Sequence, residues 1–344
     1  IEEVSYKEQD KEVKADRIFL ESKLNECREL TLESDFANAQ IVGNYTLSDL
    51  PAAAKEILSK YIPAAIPLTS KLPKNHDFSF TAEAKRTKQL LDIFYPQLQI
   101  ARGTTLQGAM KSKTNDLSIL FKSDEIKCES TVLTAIKLTG TTGLNGLDLR
   151  VGIDNFNVSD KLSIDNLKLS GITKHDTASI LLSLQGKDSL KSNASVRFDT
   201  DFLQTGYTTI KMIPEKLTLN GQQWAIDPRN YILFDSLGVL LNEVNFTNQD
   251  QQLNLEGIVC ADTSSKINLQ FVNFESANLN DLLELYDVNI GGITNGSASI
   301  RSVTGDPSIT ANLQVDNLRY YLDTLGNANV SSVFNSNDGV LDIN

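Results

Sequence analysis

Residues able to do acid–base, metal or nucleophilic chemistry are scarce in this chain of 344 residues, which has two histidines and three cysteines. His76 and His175 each lack a second histidine or a cysteine at ligand spacing, so no zinc-type site is expected. Cys27, Cys128 and Cys260 are odd in number, far apart and without a C-x-x-C spacing, and they read as small buried hydrophobes. The sequence contains no G-x-S-x-G elbow, P-loop or Rossmann glycine pattern. Gly291, Gly292 and Gly296 precede a strand pattern, not a helix, so they cannot seat a phosphate on a helix dipole. Asp154, Asp176, Asp262 and Asp323 fall where turns are expected, and bonding to the local backbone accounts for them. The N-x-S/T sequences at Asn44, Asn157, Asn193, Asn245, Asn295 and Asn329 follow from a chain rich in those residue types. The expectation is a protein that is not an enzyme and has no cofactor and no metal site.

The chemistry that remains is the transfer of apolar groups out of water. Over 217–259 apolar residues recur at every second position: Leu217 and Leu219, Trp224 and Ile226, Ile232 and Phe234, Val239 and Leu241, Val244 and Phe246, Leu253 and Leu255. A period of two puts those side chains on one face of a strand and the polar ones on the other. Turn formers separate the runs, at Asn220-Gly221, Asp227-Pro228, Ser236-Leu237-Gly238 and Asn248-Gln249-Asp250. Such a stretch is a meander of antiparallel strands, apolar on one side and wet on the other. Extended to its neighbours, the pattern gives a candidate lipid lining of Val196, Phe198, Ile210, Met212, Leu217, Leu219, Trp224, Ile226, Ile232, Phe234, Leu253, Leu255, Ile267, Leu269 and Phe271. An ordinary closed β core would use the same residues.

The elements that must position this lining run through the whole chain. Strands are expected at 4–6 and 17–24 within a charged opening segment, then on both sides of Asp35–Asn38. Helix interrupts at Leu50, where Ser48 and Asp49 can cap and Pro51 is tolerated in the first turn. Leu50, Ala54, Ile57, Leu58 and Tyr61 keep helical spacing up to Pro63; after a connector and a strand at 77–82, a second helix is expected over 87–95. Two amphipathic helices inserted in a strand series must dock, and capping the end or mouth of a sheet is the expected solution, with a partner or membrane surface as the alternative. Strand runs then follow at 105–112, 117–122, 126–131, 135–139, 147–153, 161–170, 179–184, 194–199 and 208–213. Beyond 259 come strands at 266–274, 297–303, 308–318, 328–333 and 340–344, with a short helix at 280–286. The organisation expected is strands over 1–47, a helical insertion and connector over 48–100, and a continuous series over 101–344.

Composition bounds the partners. A formal charge of −12 argues against nucleic acid and against adhesion to anionic headgroups, while leaving acyl chains open. Hydrophobic residues at 40% suit strands that are wet on one face. No apolar run approaches the roughly 18 residues of a spanning helix, and the chain reads as a piece of a longer polypeptide. One apolar sheet face can be buried by a closed sandwich, a filled solenoid, or a sheet curled into a groove that receives a guest. Composition leaves these three open.

A family resemblance chooses among them. The run 221–257, GQQWAIDPRNYILFDSLGVLLNEVNFTNQDQQLNLEG, resembles a segment near the C-terminal part of TamB proteins, members of the AsmA-like group. The residues that carry it are Trp224, Asp227, Pro228, Asn230, Ile232, Phe234, Gly238, Val239, Leu253, Leu255 and Gly257. Further matches lie at 289–315, with Gly291, Gly292, Gly296 and Asp306-Pro307-Ser308-Ile309, and at 30–47. The TamB-like C-terminal part would begin near 200. The resemblance implies a mainly all-β fold: an elongated antiparallel sheet curled into a hydrophobic groove, a β-taco, here with a small helical insertion. It further implies a periplasmic protein whose parent chain is anchored in the inner membrane and meets an outer-membrane barrel assembly factor of the TamA type. The associated roles are conduction of phospholipid or other acyl lipid between the membranes in outer-membrane biogenesis, and assembly or secretion of outer-membrane proteins. Membrane contact would come from parts of the parent chain outside this fragment. Two other classes stand beside the conduit: a chaperone that pairs with unfolded barrel strands, and a dry structural solenoid.

Overall fold

The computed structural model describes residues 1–8, 11–24, 26–66, 75–157, 163–186, 192–203, 206–261, 265–283, 288–303, 307–335 and 340–343. The chain forms two units, Ile1–Leu184 and Gln185–Asn344. The first carries β1 (Glu2–Glu8), β2 (Lys11–Leu24), β3 (Arg28–Ser34), β4 (Ala37–Asn44), α1 (Leu50–Ser59), β5 (Asp77–Ala84), α2 (Lys88–Phe94) and β6 (Leu98–Ile100). It continues with β7 (Thr105–Lys111), β8 (Asp116–Cys128), β9 (Thr131–Gly143), β10 (Gly146–Asn157), β11 (Ser163–Lys174) and β12 (Thr177–Gly186). The second carries β13 (Asn193–Phe202), β14 (Thr208–Leu219), β15 (Gln222–Gln223), β16 (Ala225–Ile226), β17 (Tyr231–Phe234), β18 (Gly238–Asn248), β19 (Gln251–Cys260) and β20 (Lys266–Glu275). It ends with α3 (Asn280–Leu283), β21 (Ile290–Arg301), β22 (Ser308–Tyr320), β23 (Asp323–Asn335) and β24 (Val340–Ile343). The fold class expected from the sequence is the one observed: an all-β, antiparallel, open sheet with short helical insertions.

In the first unit strands pair with their neighbours in sequence, except that β5 pairs β7 and the short β6 pairs β8. The register carries one apolar row across the sheet: Leu30, Ile41, Phe80, Gly108, Ile119, Gly140, Leu149 and Gly171. A row three positions along, on the opposite face, is polar: Glu33, Asn38, Glu83, Thr105, Lys122 and Lys137. Strict alternation in sequence thus becomes two chemically distinct faces. α1 lies on the apolar face, where Ala53 and Ile57 are buried against Tyr45, Phe78, Met110 and Leu117. Its C-terminal extension is tied to the β11–β12 turn, since the Ala64 N–H donates to Asp176 Oδ1 at 2.7 Å and the Asp176 N–H to the Tyr61 carbonyl at 3.0 Å. α1 thus docks on the sheet face itself. α2 docks instead on β2, with Leu90 and Ile93 packed on Val13, Ala15 and Phe36 and the Phe94 ring stacked on Tyr6.

Several local expectations are corrected. Asp49 makes no capping bond to α1, because a 3-10 turn over Leu47–Asp49 precedes the helix and the Ser48 hydroxyl engages the Asp49 carboxylate instead. Asp154 lies within β10, not in a turn. Cys27 and Cys128 are exposed and only Cys260 is buried, since the first two sit in or beside hairpin turns, where a small apolar side chain gains no cover. The helix expected at 280–286 is described only over Asn280–Leu283, and Asp262 and most of the 63–73 connector lie outside the described residues.

Candidate apolar conduit

All fifteen residues of the candidate lining belong to the second unit, and the register and packing put them on one face. Ile210 opposes Ile232, which opposes Leu241; the row continues through Gly257, Ile267, Ile300 and Ile309. A second row runs Leu255, Leu269, Ala298, Ala311, and a third Phe246, Leu253, Phe271, Gly296, Leu313, Val330. Val196 and Phe198 join this face through Pro214 and Met212. The opposite face is a ladder of Asn245, Asn254, Gln270, Ser297, Asn312 and Ser331. A depression of about 520 Å³ lies mainly over those amides and hydroxyls.

The fifteen do not share one environment. Met212, Leu217, Leu219, Trp224, Ile226, Leu253 and Phe271 gather in a packed cluster with Ala194, Phe246, Phe274 and Leu279. Three strand steps separate β16 from β20 (β16–β18–β19–β20), about 14 Å on a flat sheet. Yet the Trp224 ring, beside β16, lies 5.7 Å from that of Phe274. The sheet therefore bends over its apolar face here. Val196, Phe198, Ile210, Ile232, Leu255, Ile267 and Leu269 are half-buried outside the cluster, while Phe234 stands exposed at the β17–β18 turn. The lining is a closed, dry end joined to a row of half-covered aliphatics.

Sequence parity missed Phe274, the most buried large residue of the cluster at 2% exposure. Between Phe271 and Phe274 the register shifts, and Asn273 adopts φ 47°, its N–H donating to Asn295 Oδ1 at 2.8 Å. One extra residue turns Phe274 inward. The same device recurs at Asn317 (φ 53°), whose N–H donates to Asn327 Oδ1 at 3.0 Å. An asparagine inside an apolar run was the available signal, because asparagine tolerates the left-handed conformation. Gly257 is required for a related reason: at φ +148° an added Cβ would fall 2.1 Å from the Lys266 carbonyl oxygen.

Polar groups seal the closed end. Gln251 Nε2 donates to Gln222 Oε1 at 2.8 Å, and Gln222 Nε2 to Glu275 Oε2 at 3.0 Å. Gln251 Oε1 accepts from the Glu275 N–H and from Asn278 Nδ2. On the other side the Asp227–Asn230 turn is held by Asn230, which is 1% exposed; its Oδ1 accepts from Met212 N and its Nδ2 donates to Met212 O, both at 2.8 Å. At that turn Arg229 pairs with Asp227 at 2.8 Å and with Glu243 at 3.1 Å. Hydrogen bonds from the Arg229 side chain and backbone hold the Asp227 carboxyl down at about 2.

Among the described residues no group of acidic, histidine and cysteine side chains is placed to hold a metal ion, and no helix is long and apolar enough to cross a membrane. Compared with family models, with curated proteins and with solved structures, the chain matches none.

Proposed function

We propose that the chain carries the acyl chains of phospholipid or other lipid along its apolar sheet face, as part of a periplasmic, inner-membrane-anchored bridge of the TamB kind that supports outer-membrane biogenesis. The observation that supports this most is the row Ile210–Ile232–Leu241–Gly257–Ile267–Ile300–Ile309, half-buried up to Ile300 and exposed at Ile309, apolar or glycine on successive strands of an open sheet. The row runs across the strands, in the direction a chain must travel along the sheet. Moving an acyl chain of about 16 carbons from water to apolar surroundings yields on the order of 12 kcal/mol, at roughly 0.8 per methylene. Moving it from a bilayer to an equally apolar row yields almost nothing. A uniform row therefore removes the aqueous barrier without trapping the lipid, and it requires no headgroup pocket along the way.

Two substitutions test the proposal. Leu255 is half-buried outside the Trp224 cluster, whereas Leu217 is buried inside it. Leu255→Asp should fold with near-normal stability, because its carboxylate reaches water, and should lose the lipid that mass spectrometry finds on the unmodified protein. Leu217→Asp places an unpaired charge in a packed cluster and should cost several kcal/mol. Absence of acyl lipid on the unmodified protein, or its undiminished retention by Leu255→Asp, would sink the conduit.

A further inference from the structure

The unit Ile1–Leu184 contains buried polar groups for which the apolar row has no use. His76 is 2% exposed and neither ring nitrogen has a hydrogen-bond partner; Tyr45 is 5% exposed and its hydroxyl has none either. The pairing of Asn44 with Asp77 makes Tyr45 and His76 opposite neighbours on the next rung. Both rings stand against Phe78, at 6.0 and 6.4 Å between centroids, on the apolar face where α1 docks. The Arg28 guanidinium lies over the Tyr45 ring at 5.8 Å, and Arg28 opposes Gly43 on this same face. Burial raises the Tyr45 phenol, partly offset by Arg28, which keeps the hydroxyl a donor.

Buried polar atoms are almost always bonded, and those that are not call for a partner. Here two side chains are left unbonded beside an apolar row, next to a cation. We propose that this rung receives the carboxylate of a single-chain fatty acid, with the chain laid along Phe80, Ile119 and Leu149 and the head taken by Tyr45, His76 and Arg28. The inference rests on the proposed acyl carriage and names a head-binding site for it. A carboxylate is preferred to a larger head because the unbonded atoms are buried and Tyr45 packs with the fully buried Ala53 and Ile57 of α1. Seating even a small head requires α1 to shift outward on its tether at Asp176.

The test titrates the whole chain with dodecanoate, dodecanol and dodecyl phosphate, which share a tail and differ in head. Dodecanoate should bind about tenfold or more tightly than dodecanol, as charge-assisted hydrogen bonds require. Tyr45→Phe and, separately, His76→Phe should bring the two ligands within about twofold while leaving dodecanol unchanged. Tyr45→Phe keeps the ring and its packing, so it reports even where His76→Phe fails to fold. Variants that melt higher and keep the dodecanoate preference would show that the unbonded groups are structural and would overturn the proposal. Tighter binding of dodecyl phosphate than of dodecanoate would overturn the carboxylate in favour of a phosphate head. Equal binding of dodecanoate and dodecanol overturns the head site but leaves acyl carriage standing; binding of none of the three overturns both for this unit.

Discussion

Asn230 offers the sharpest test of how the apolar face is held. Its amide ties the 227–230 turn to β14: Oδ1 accepts from Met212 N, and Nδ2 donates to Met212 O and to the Asp227 carbonyl. Replacement by alanine removes three hydrogen bonds and leaves the Met212 N–H and carbonyl with no replacement at a site 1% exposed, while the Asp227 carbonyl keeps the backbone N–H of residue 230. At about 1–3 kcal/mol for each of the two buried groups left unmet, with the carbonyl at the lower end, the loss should be about 2–4 kcal/mol. That is a large share of the roughly 5–15 kcal/mol that holds a domain. Asn230→Asp keeps the acceptor for Met212 N but points a carboxylate at two carbonyls, so at neutral pH it should be worse than alanine. Its carboxyl would titrate above the usual range in the folded state and at the usual value when unfolded. The folded state would then bind the extra proton, so stability should recover as pH falls and be lost as pH rises. Trp224 reports directly, because it packs in the cluster that Met212 borders. The assay is denaturant unfolding followed by tryptophan emission at pH 7 and pH 5. Midpoints equal to the unmodified protein for both variants would refute the bridging role.

Three further outcomes follow from the same geometry. Gly257→Ala should destabilise the second unit, since a Cβ would meet the Lys266 carbonyl at 2.1 Å at an unfavourable φ; an unchanged midpoint would mean that the strand relaxes without cost. The Asp227 carboxyl is held at about 2 against its ordinary 3.8, so its contribution is present above 3.8 and lost as pH falls toward 2. Asp227→Asn should accordingly flatten the acid limb of the stability curve, and an unaltered limb would remove this pair from the account. Trp224 is 5% exposed, so its emission should be blue-shifted and resist iodide; efficient quenching by iodide would place the indole in water.

Strand alternation was legible because a period of two is written directly into residues such as Leu253, Leu255, Ile267 and Leu269, all of which face the same side. What alternation does not reveal is where it breaks. The bulges at Asn273 and Asn317 each insert one residue, and parity counted through them assigns Phe274 to the wrong face. Division of the lining into a packed cluster and a half-covered row was also illegible. It depends on how far the sheet bends, which brings Trp224 to Phe274 from strands that sequence spacing cannot relate. The helix of the first unit was legible from its spacing, but not its tether, since Tyr61 and Asp176 are distant in sequence and meet only in the folded unit. The rung of Tyr45 and His76 was equally hidden. A lone histidine in polar sequence surroundings gives no sign that it will be buried against Phe78.

Nearest-neighbour pairing within each unit has a consequence for how such a chain can grow. Each hairpin makes its ladder almost entirely with the strand before it and the strand after it, as β18, β19 and β20 do with one another. Stability in such an array is close to a sum of local terms and junctions between adjacent strands, so melting should spread from an end and not occur all at once. The same arithmetic constrains inheritance. Inserting or deleting two strands preserves both chain direction and the side on which every apolar row emerges. Removing one strand would force all that follows to run backwards. Length can therefore change by whole hairpins with the surface chemistry intact, and a track for an apolar guest could be lengthened by duplication alone.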